Sequence, residues 1–266
     1  MRQSWNLIST RHPRGIAEIL EILLENRGMN STQLRHVLAD LVPYLDIKGI
    51  DEAARLMAQH INRQSTIVLV ADYDCDGITS LAQVSLFLQH IGFSNYETLI
   101  PLRDEGYGMP LRAVEDHPNA SLFLVLDCGT RDVEAIDAAR RGGADCIVID
   151  HHEVPDSGSA PANFLVNPKQ SGCPSRFKEF CSSGLTLLFL SRLRRYLGDG
   201  WPRPRLGGPY LALAALGTVA DMVPLVHGNR ILTTHGLASV NAGAFLPLRR
   251  LIEVAGLSNQ TITAGH

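Results

Sequence analysis

The sequence predicts an α/β fold: a parallel sheet of about five strands with helices on both faces, an N-terminal helical segment and C-terminal helices. Three observations carry this. Apolar, β-branched runs recur at 66–71, 96–100, 121–126, 144–149 and 163–166. Helical patterns fall between the first four, at 78–91, roughly 110–117 and 132–141. Three of the strand-like runs end in acidic residues, and parallel strands place such ends side by side at one edge.

Before the sheet, residues 1–63 read as a helical segment that caps it. Arg14–Glu25 is densely apolar, with no breaker after Gly15. Ser31 can cap a short helix through Ala39. Asp51 can cap another, with Ala54, Leu56, Met57 and Ile61 on its buried face. Thr66–Val70 is a buried strand. After the fourth strand, residues 154–178 are rich in Pro, Ser, Gly and Asn and read as loop around one short strand. Helices follow at Gly184–Leu197, Tyr210–Thr218, 229–241 and 246–256, with a loop at 198–209. The expected division is 1–63 helical, 64–226 catalytic, and 227–266 a helical extension.

The chain has 266 residues, 45% hydrophobic and 19% charged, an ordinary globular composition. No apolar run is long enough to span a membrane, and the N-terminus lacks a signal-peptide core. A cytoplasmic protein is expected. The five cysteines form no CxxC pair and read as reduced, partly buried hydrophobes. A net charge of −3 gives no global basic field, so a polyanion would be held by local groups or by metal. Arg192, Arg194 and Arg195 give one helix a basic side, which reads first as a solvated face.

The informative stretch is Thr66–Ser80, TIVLVADYDCDGITS. Asp72, Asp74 and Asp76 follow a strand and precede a helix. At ~4 Å and an effective dielectric near 20, each like-charge pair costs on the order of 4 kcal/mol. A fold keeps such a cluster if the groups face water or if cations offset it. An EF-hand loop is excluded, because the twelfth position is Gln83 and the preceding flank is a strand. Asp127 follows the third strand, and Asp150, His151 and His152 follow the fourth. Asp221 sits in a turn closed by Pro224. Singly these read as caps or surface turns. Together they make a ligand set for Mn²⁺ or Mg²⁺. So many carboxylates suit two ions sharing one Asp, the usual apparatus for displacement at phosphorus.

DYDCDG, LVLDCGT, IDHHE and GTVADMVPL, in this order, resemble the four motifs of the DHH phosphoesterase superfamily. GTVADMVPL and PLRDEGYGMP resemble its RecJ-like branch of single-strand-specific 5′→3′ exonucleases, from about Arg14 to the C-terminus. The resemblance implies Asp74, Asp76, Asp127, His151 and Asp221 as metal ligands, with Asp127 the bridge. It implies that Asp72 assists a ligand, His152 contacts phosphate or protonates the leaving oxygen, and Asp150 orients a His. Arg103 is a candidate phosphate clamp, beside the reading of a solvated loop arginine. Gly184 resembles a glycine-rich helix start at the site, beside that of a packing residue.

Two departures stand out. Val70 occupies a position where many superfamily members carry His. The chain also stops at TITAGH, near where a linker into a substrate domain is expected, so a fragment of reduced activity is anticipated. The implied partner is single-stranded DNA, with repair or replication proteins as further partners and none in a membrane. The rivals are an oligonucleotide or cyclic-dinucleotide phosphodiesterase, a pyrophosphatase, and a non-catalytic DHH module. The sequence carries no signal for oligomeric state.

Overall fold

The computed structural model describes residues 10–27, 37–243 and 245–266. The chain divides into two compact units, the first ending at Asp40 and the second spanning Leu41–His266. The first contains α1, Ile16–Glu25, whose Leu24 is buried. Its first turn is closed by the Glu18 carboxylate, which accepts from the Arg14 N–H at 2.6 Å. The helix expected at Ser31–Ala39 falls mostly on 31–36, outside the described residues. A 3₁₀ segment runs Leu38–Leu45.

The second unit holds a five-stranded, all-parallel sheet. Its strands are β1 (Ile67–Ala71), β2 (Tyr96–Leu99), β3 (Leu122–Leu126), β4 (Asp145–Ile149) and β5 (Phe164–Val166), in the order β2-β1-β3-β4-β5. The chain leaves β1 toward one side and returns on the other. The β1/β3 boundary is therefore a topological switch point, where α/β sheets bind ligands beyond the strand C-termini.

Both faces of the central strands are buried, as parallel sheets require. Ile67, Leu69, Leu122, Leu124, Ile147 and Ile149 face one core. There they meet apolar side chains of α2 (Ile50–Asn62), α3 (Cys75–Ile91), α6 (Ser182–Tyr196) and α7 (Pro209–Ala220). Val68, Val70, Phe123, Val125 and Val148 face the other, with α4 (Arg112–Glu115) and α5 (Val133–Arg141). Each such buried side chain contributes about 1.5–3 kcal/mol. Val70 is thus a core residue.

Helices α8 (His227–Asn241) and α9 (Leu246–Val254) complete the unit, with α8 packed on α7. Gly236 permits that packing, because a Cβ there would stand 2.2 Å from the Ala215 Cβ.

Several boundaries differ from expectation. Asp51 does not cap α2, because the left-handed Gly49 precedes the helix. Asp51 lies in the first turn and accepts from the Tyr196 hydroxyl at 2.7 Å. It also pairs with Arg192, removing one cation from the supposed basic side of α6. Arg194 donates to the Pro204 carbonyl. Helix α3 begins at Cys75, three residues early. All five cysteines are free. Among the described residues no helix is long and apolar enough to cross a membrane.

Candidate metal centre

The sheet register aligns the acidic residues. Ala71 pairs with Leu126, and Leu126 with Ile149, so Asp72, Asp127 and Asp150 come next in line on three adjacent strands. Each extends the ladder by one bond. Asp72 N donates to Leu126 O, Asp127 N to Ile149 O, and Asp150 N to Val166 O, at 2.9–3.2 Å. All three side chains are buried. Asp127 adopts φ +61, a left-handed conformation that Asp tolerates at modest cost.

The β1–α3 turn supplies Asp74 and Asp76 with different surroundings. Asp74 Oδ1 accepts from the N–H groups of Asp76 and Gly77 at 2.9 and 3.0 Å. This N-cap is why α3 starts early. Gly77 fits because a Cβ there would lie 2.4 Å from the Asp72 carbonyl oxygen. Asp76 is 1% exposed. Its Oδ2 accepts from Ser182 N at 2.6 Å and its Oδ1 from Ser183 N at 2.9 Å. The first amides of α6 therefore hold Asp76. Gln83, at the position that excluded an EF-hand, ties α3 to the Ser183 carbonyl and hydroxyl. Asp221 follows α7 and is half-buried.

These elements converge on His151. Its Nε2 lies 3.9 Å from Asp76 Oδ2, 3.5 Å from Asp127 Oδ1 and 3.6 Å from Asp221 Oδ2. These separations exceed a hydrogen bond. They resemble the spacing of atoms that share one cation at about 2.0–2.2 Å. Asp72, Asp74 and Asp127 form a second group with ligand atoms within 4.8 Å of one another, and Asp127 also groups with His151 and His152. Asp127 therefore stands between two candidate ligand sets. His151 Nε2, Asp127 Oδ1 and Asp72 Oδ1 are buried without a hydrogen-bond partner. Native interiors rarely leave such atoms unsatisfied unless a water or an ion engages them. The donors are carboxylate oxygen and imidazole nitrogen, with no thiolate, so the set fits hard to borderline divalent cations.

Electrostatics agree. Burial, then the charges of Asp76 and Asp74, push the Asp127 carboxyl far up. Burial also raises Asp76 against the hydrogen bond from Ser183, and raises Asp221 and Asp72. Burial and the neighbouring His152 bring His151 down to about 4, which leaves it neutral and able to ligate at pH 7.

Because the Asp76 and Asp127 carboxyls titrate above the ordinary 3.8, they hold their protons to higher pH in the metal-free fold than in the unfolded chain. The stability from their protonated forms is complete below 3.8 and lost as pH rises through the raised values. Cation binding is therefore expected to release protons and to stabilise more at about pH 8 than at about pH 5. Thermal melts with and without Mn²⁺ across that range, and calorimetry in buffers of different ionisation enthalpy, check this.

Beside the cluster, Asp150 orients His152. Asp150 Oδ1 accepts from His151 N at 2.7 Å, from His152 N at 3.1 Å and from His152 Nδ1 at 2.7 Å, while Oδ2 accepts from Thr130 N. Burial alone would raise Asp150, but the His152 hydrogen bond and charge bring it well below the usual carboxylate range. The same hydrogen bond raises His152.

Tyr107, which sequence reasoning left without a role, donates its hydroxyl to the Asp127 carbonyl at 2.9 Å and lies 2.9 Å from His152 Nδ1. Ser182, Ser183, Thr130 and Asn167 were also missed. Backbone amides carry no sequence signal, and a lone Tyr in a glycine-flanked loop has no spacing that marks it.

Arg103 lies over the Tyr73 ring, 5.2 Å from its centroid, and Tyr73 sits between Asp72 and Asp74. Gly184 directly follows Ser183, whose amide holds Asp76. It is buried in α6, where a Cβ would meet Leu232 at 3.1 Å and Phe180 at 3.3 Å, which is a packing environment.

A parallel sheet whose strand ends gather Asp72, Asp127 and the Asp150-His151-His152 triplet defines a DHH-type domain, and the chain belongs to the DHH family: the profile of the "DHH family, N-terminal domain" matches residues 66–218. Within it, the chain is 33% identical over 263 residues to the single-stranded-DNA-specific exonuclease RecJ of Escherichia coli K12. That match covers 95% of this chain and 45% of the relative, so the chain spans under half the length of that protein. A crystal structure of exonuclease RecJ bound to manganese superposes with a TM-score of 0.70 at 33% identity, over 81% of this chain and 54% of that one. RecJ of Thermus thermophilus in complex with Mn²⁺ gives 0.67 at 30%, over 82% and 32%.

Proposed function

We propose that the chain is the metal-holding part of a phosphodiesterase that degrades single-stranded DNA from its 5′ end. The observation that carries this is the unpartnered His151 Nε2, with oxygens of Asp76, Asp127 and Asp221 at 3.5–3.9 Å. The exonuclease RecJ relatives, and their Mn²⁺-bound structures, support the substrate and the metal.

Asp76, His151 and Asp221 would hold one Mn²⁺ or Mg²⁺, and Asp72 with Asp74 another, with Asp127 between them. Such ions supply Lewis-acid charge and acidify water at neutral pH. The protein does the rest. The α6 amides and the strand-end ladder fix the carboxylates before substrate arrives, so little reorganisation is left for the reaction. Asp150 holds His152 by Nδ1 and keeps its ring protonated toward neutrality, so Nε2–H can hand a proton to the leaving 3′-oxygen. Arg103, which lies over the Tyr73 ring, would grip a phosphate oxygen.

The test is Mn²⁺-dependent release of nucleotides from 5′-labelled single strands, with dinucleotides and pyrophosphate as comparison substrates. Salt-dependent DNA binding without turnover in saturating Mn²⁺ would replace this reading with a non-catalytic module. Tyr107→Phe keeps the ring but removes the hydroxyl bridging Asp127 and His152. It is expected to lower kcat roughly tenfold with KM and Mn²⁺ affinity little changed, as steady-state kinetics with a parallel metal titration will show.

A further inference from the structure

We propose that Lys169 binds the phosphate backbone of a nucleic-acid strand at the edge of the metal centre, and that Glu153 holds its place in the absence of substrate. The inference rests on the phosphodiesterase reading and deepens it.

Lys169 lies three residues beyond the end of β5, on the sheet edge that carries His151 and His152. Its backbone is fixed to that site. Asn167 is fully buried, donates through Nδ2 to the His152 carbonyl at 2.9 Å, and accepts through Oδ1 from Lys169 N at 2.9 Å. The Lys169 side chain is only 21% exposed, and Nζ lies 2.8 Å from Glu153 Oε1. Glu153 directly follows His152, and its side chain is 74% exposed. The Glu153 carbonyl also accepts from Arg131 Nε and Nη2 at 3.2 and 3.1 Å. One residue thus gathers a cation from the loop after β3 and another from the loop after β5.

If Lys169 served only to offset the carboxylate cluster, its ion pair would be with Asp76, Asp127 or Asp221. Among the described residues its ion pair is with Glu153 instead. It is nevertheless close to the centre, because Asn167 joins the Lys169 amide to the His152 carbonyl. A pair with a solvent-exposed carboxylate contributes little. A phosphodiester oxygen arriving at the metals can therefore displace Glu153 and leave the ammonium a point-charge partner.

The experiment is fluorescence anisotropy of a short fluorescein-labelled oligo(dT) with the full chain, titrated with NaCl in Ca²⁺, a hard cation that takes oxygen ligands. Lys169→Met, which retains the apolar stem, is expected to weaken binding roughly five- to tenfold. It should also flatten the dependence of log K on log salt by about 0.7, the loss of one phosphate contact on a single strand. Glu153→Gln is expected to tighten binding a few-fold, and to do nothing in the Lys169→Met background. Arg195→Ala, on the last turn of α6, should leave the slope unchanged.

An unaltered slope in Lys169→Met overturns the proposal. So does an equal change in Arg195→Ala, a Glu153→Gln protein that binds no better, or a wild type that does not bind. Turnover of the same oligonucleotide in Mn²⁺ tests the underlying reading separately. Turnover with an unaltered Lys169→Met slope removes only the role of Lys169. Binding through Lys169 without turnover removes only the hydrolase.

Discussion

Asp127→Asn is expected to lower turnover severely and, in the same protein, to raise the melting temperature of the metal-free form. The two effects have one cause. Asp127 is 1% exposed, with Oδ1 unpartnered, and its carboxyl is driven far up by burial and by Asp76 and Asp74. Without cations it is a buried acid among acids, and a neutral side chain of the same shape removes about 1–2 kcal/mol of repulsion and desolvation. For a domain of this size that is a rise of roughly 2–8 °C. With cations the sign reverses, because Asp127 stands between both ligand sets. Turnover should fall by on the order of a thousandfold, about 4 kcal/mol of transition-state stabilisation. The stabilisation of the wild type by Mn²⁺ should largely vanish. Paired thermal melts and activity assays check both. A variant less stable than wild type without metal, yet still stabilised by Mn²⁺, would show that Asp127 is a structural acid.

The second large effect is expected at Gly217. A Cβ there would lie 2.5 Å from the Ser183 Cβ, 2.6 Å from Thr79 Oγ1 and 2.7 Å from Asp76 Oδ1. Helix α7 approaches α3 and α6 closely at the point where Asp76 is held by the α6 amides. Gly217→Ala must push α7 outward, costing about 3 kcal/mol, a fall of roughly 6–12 °C. Asp221 moves with α7, so Mn²⁺ affinity should drop as well. Gly200→Ala, where nothing lies within 4 Å, is the control and should be neutral to slightly stabilising. Thermal melts and metal titrations of both variants separate the close approach from the general effect of replacing glycine.

Gly217 also shows what the sequence could and could not convey. GTVADMVPL drew attention through Asp221 and Pro224, yet its glycine is explained only by the meeting of three helices. The strands were legible because runs such as Leu122–Leu126 are apolar throughout and buried on both faces. Their order placed Asp72, Asp127 and Asp150 at one edge, and the register aligns them. Asp74 was legible as an acid beside Asp76, but not as the cap that starts α3, since capping depends on backbone direction at a single residue. Ser182 and Ser183 act through amides that every residue except proline possesses. Tyr107 reaches Asp127 and His152 across the sheet edge, a contact set by tertiary structure. Gly184 carried two readings, a helix start at the site and a packing residue, and the crowding by Phe180 and Leu232 could not be read from the sequence.

Diffraction from crystals grown with Mn²⁺, recorded at the manganese absorption edge, addresses the central claim directly. Two anomalous peaks are expected, one among Asp76, His151 and Asp221 and one among Asp72 and Asp74, with Asp127 reaching both. Fully ordered Asp76, Asp127 and His151 side chains with no anomalous density between them would contradict the account.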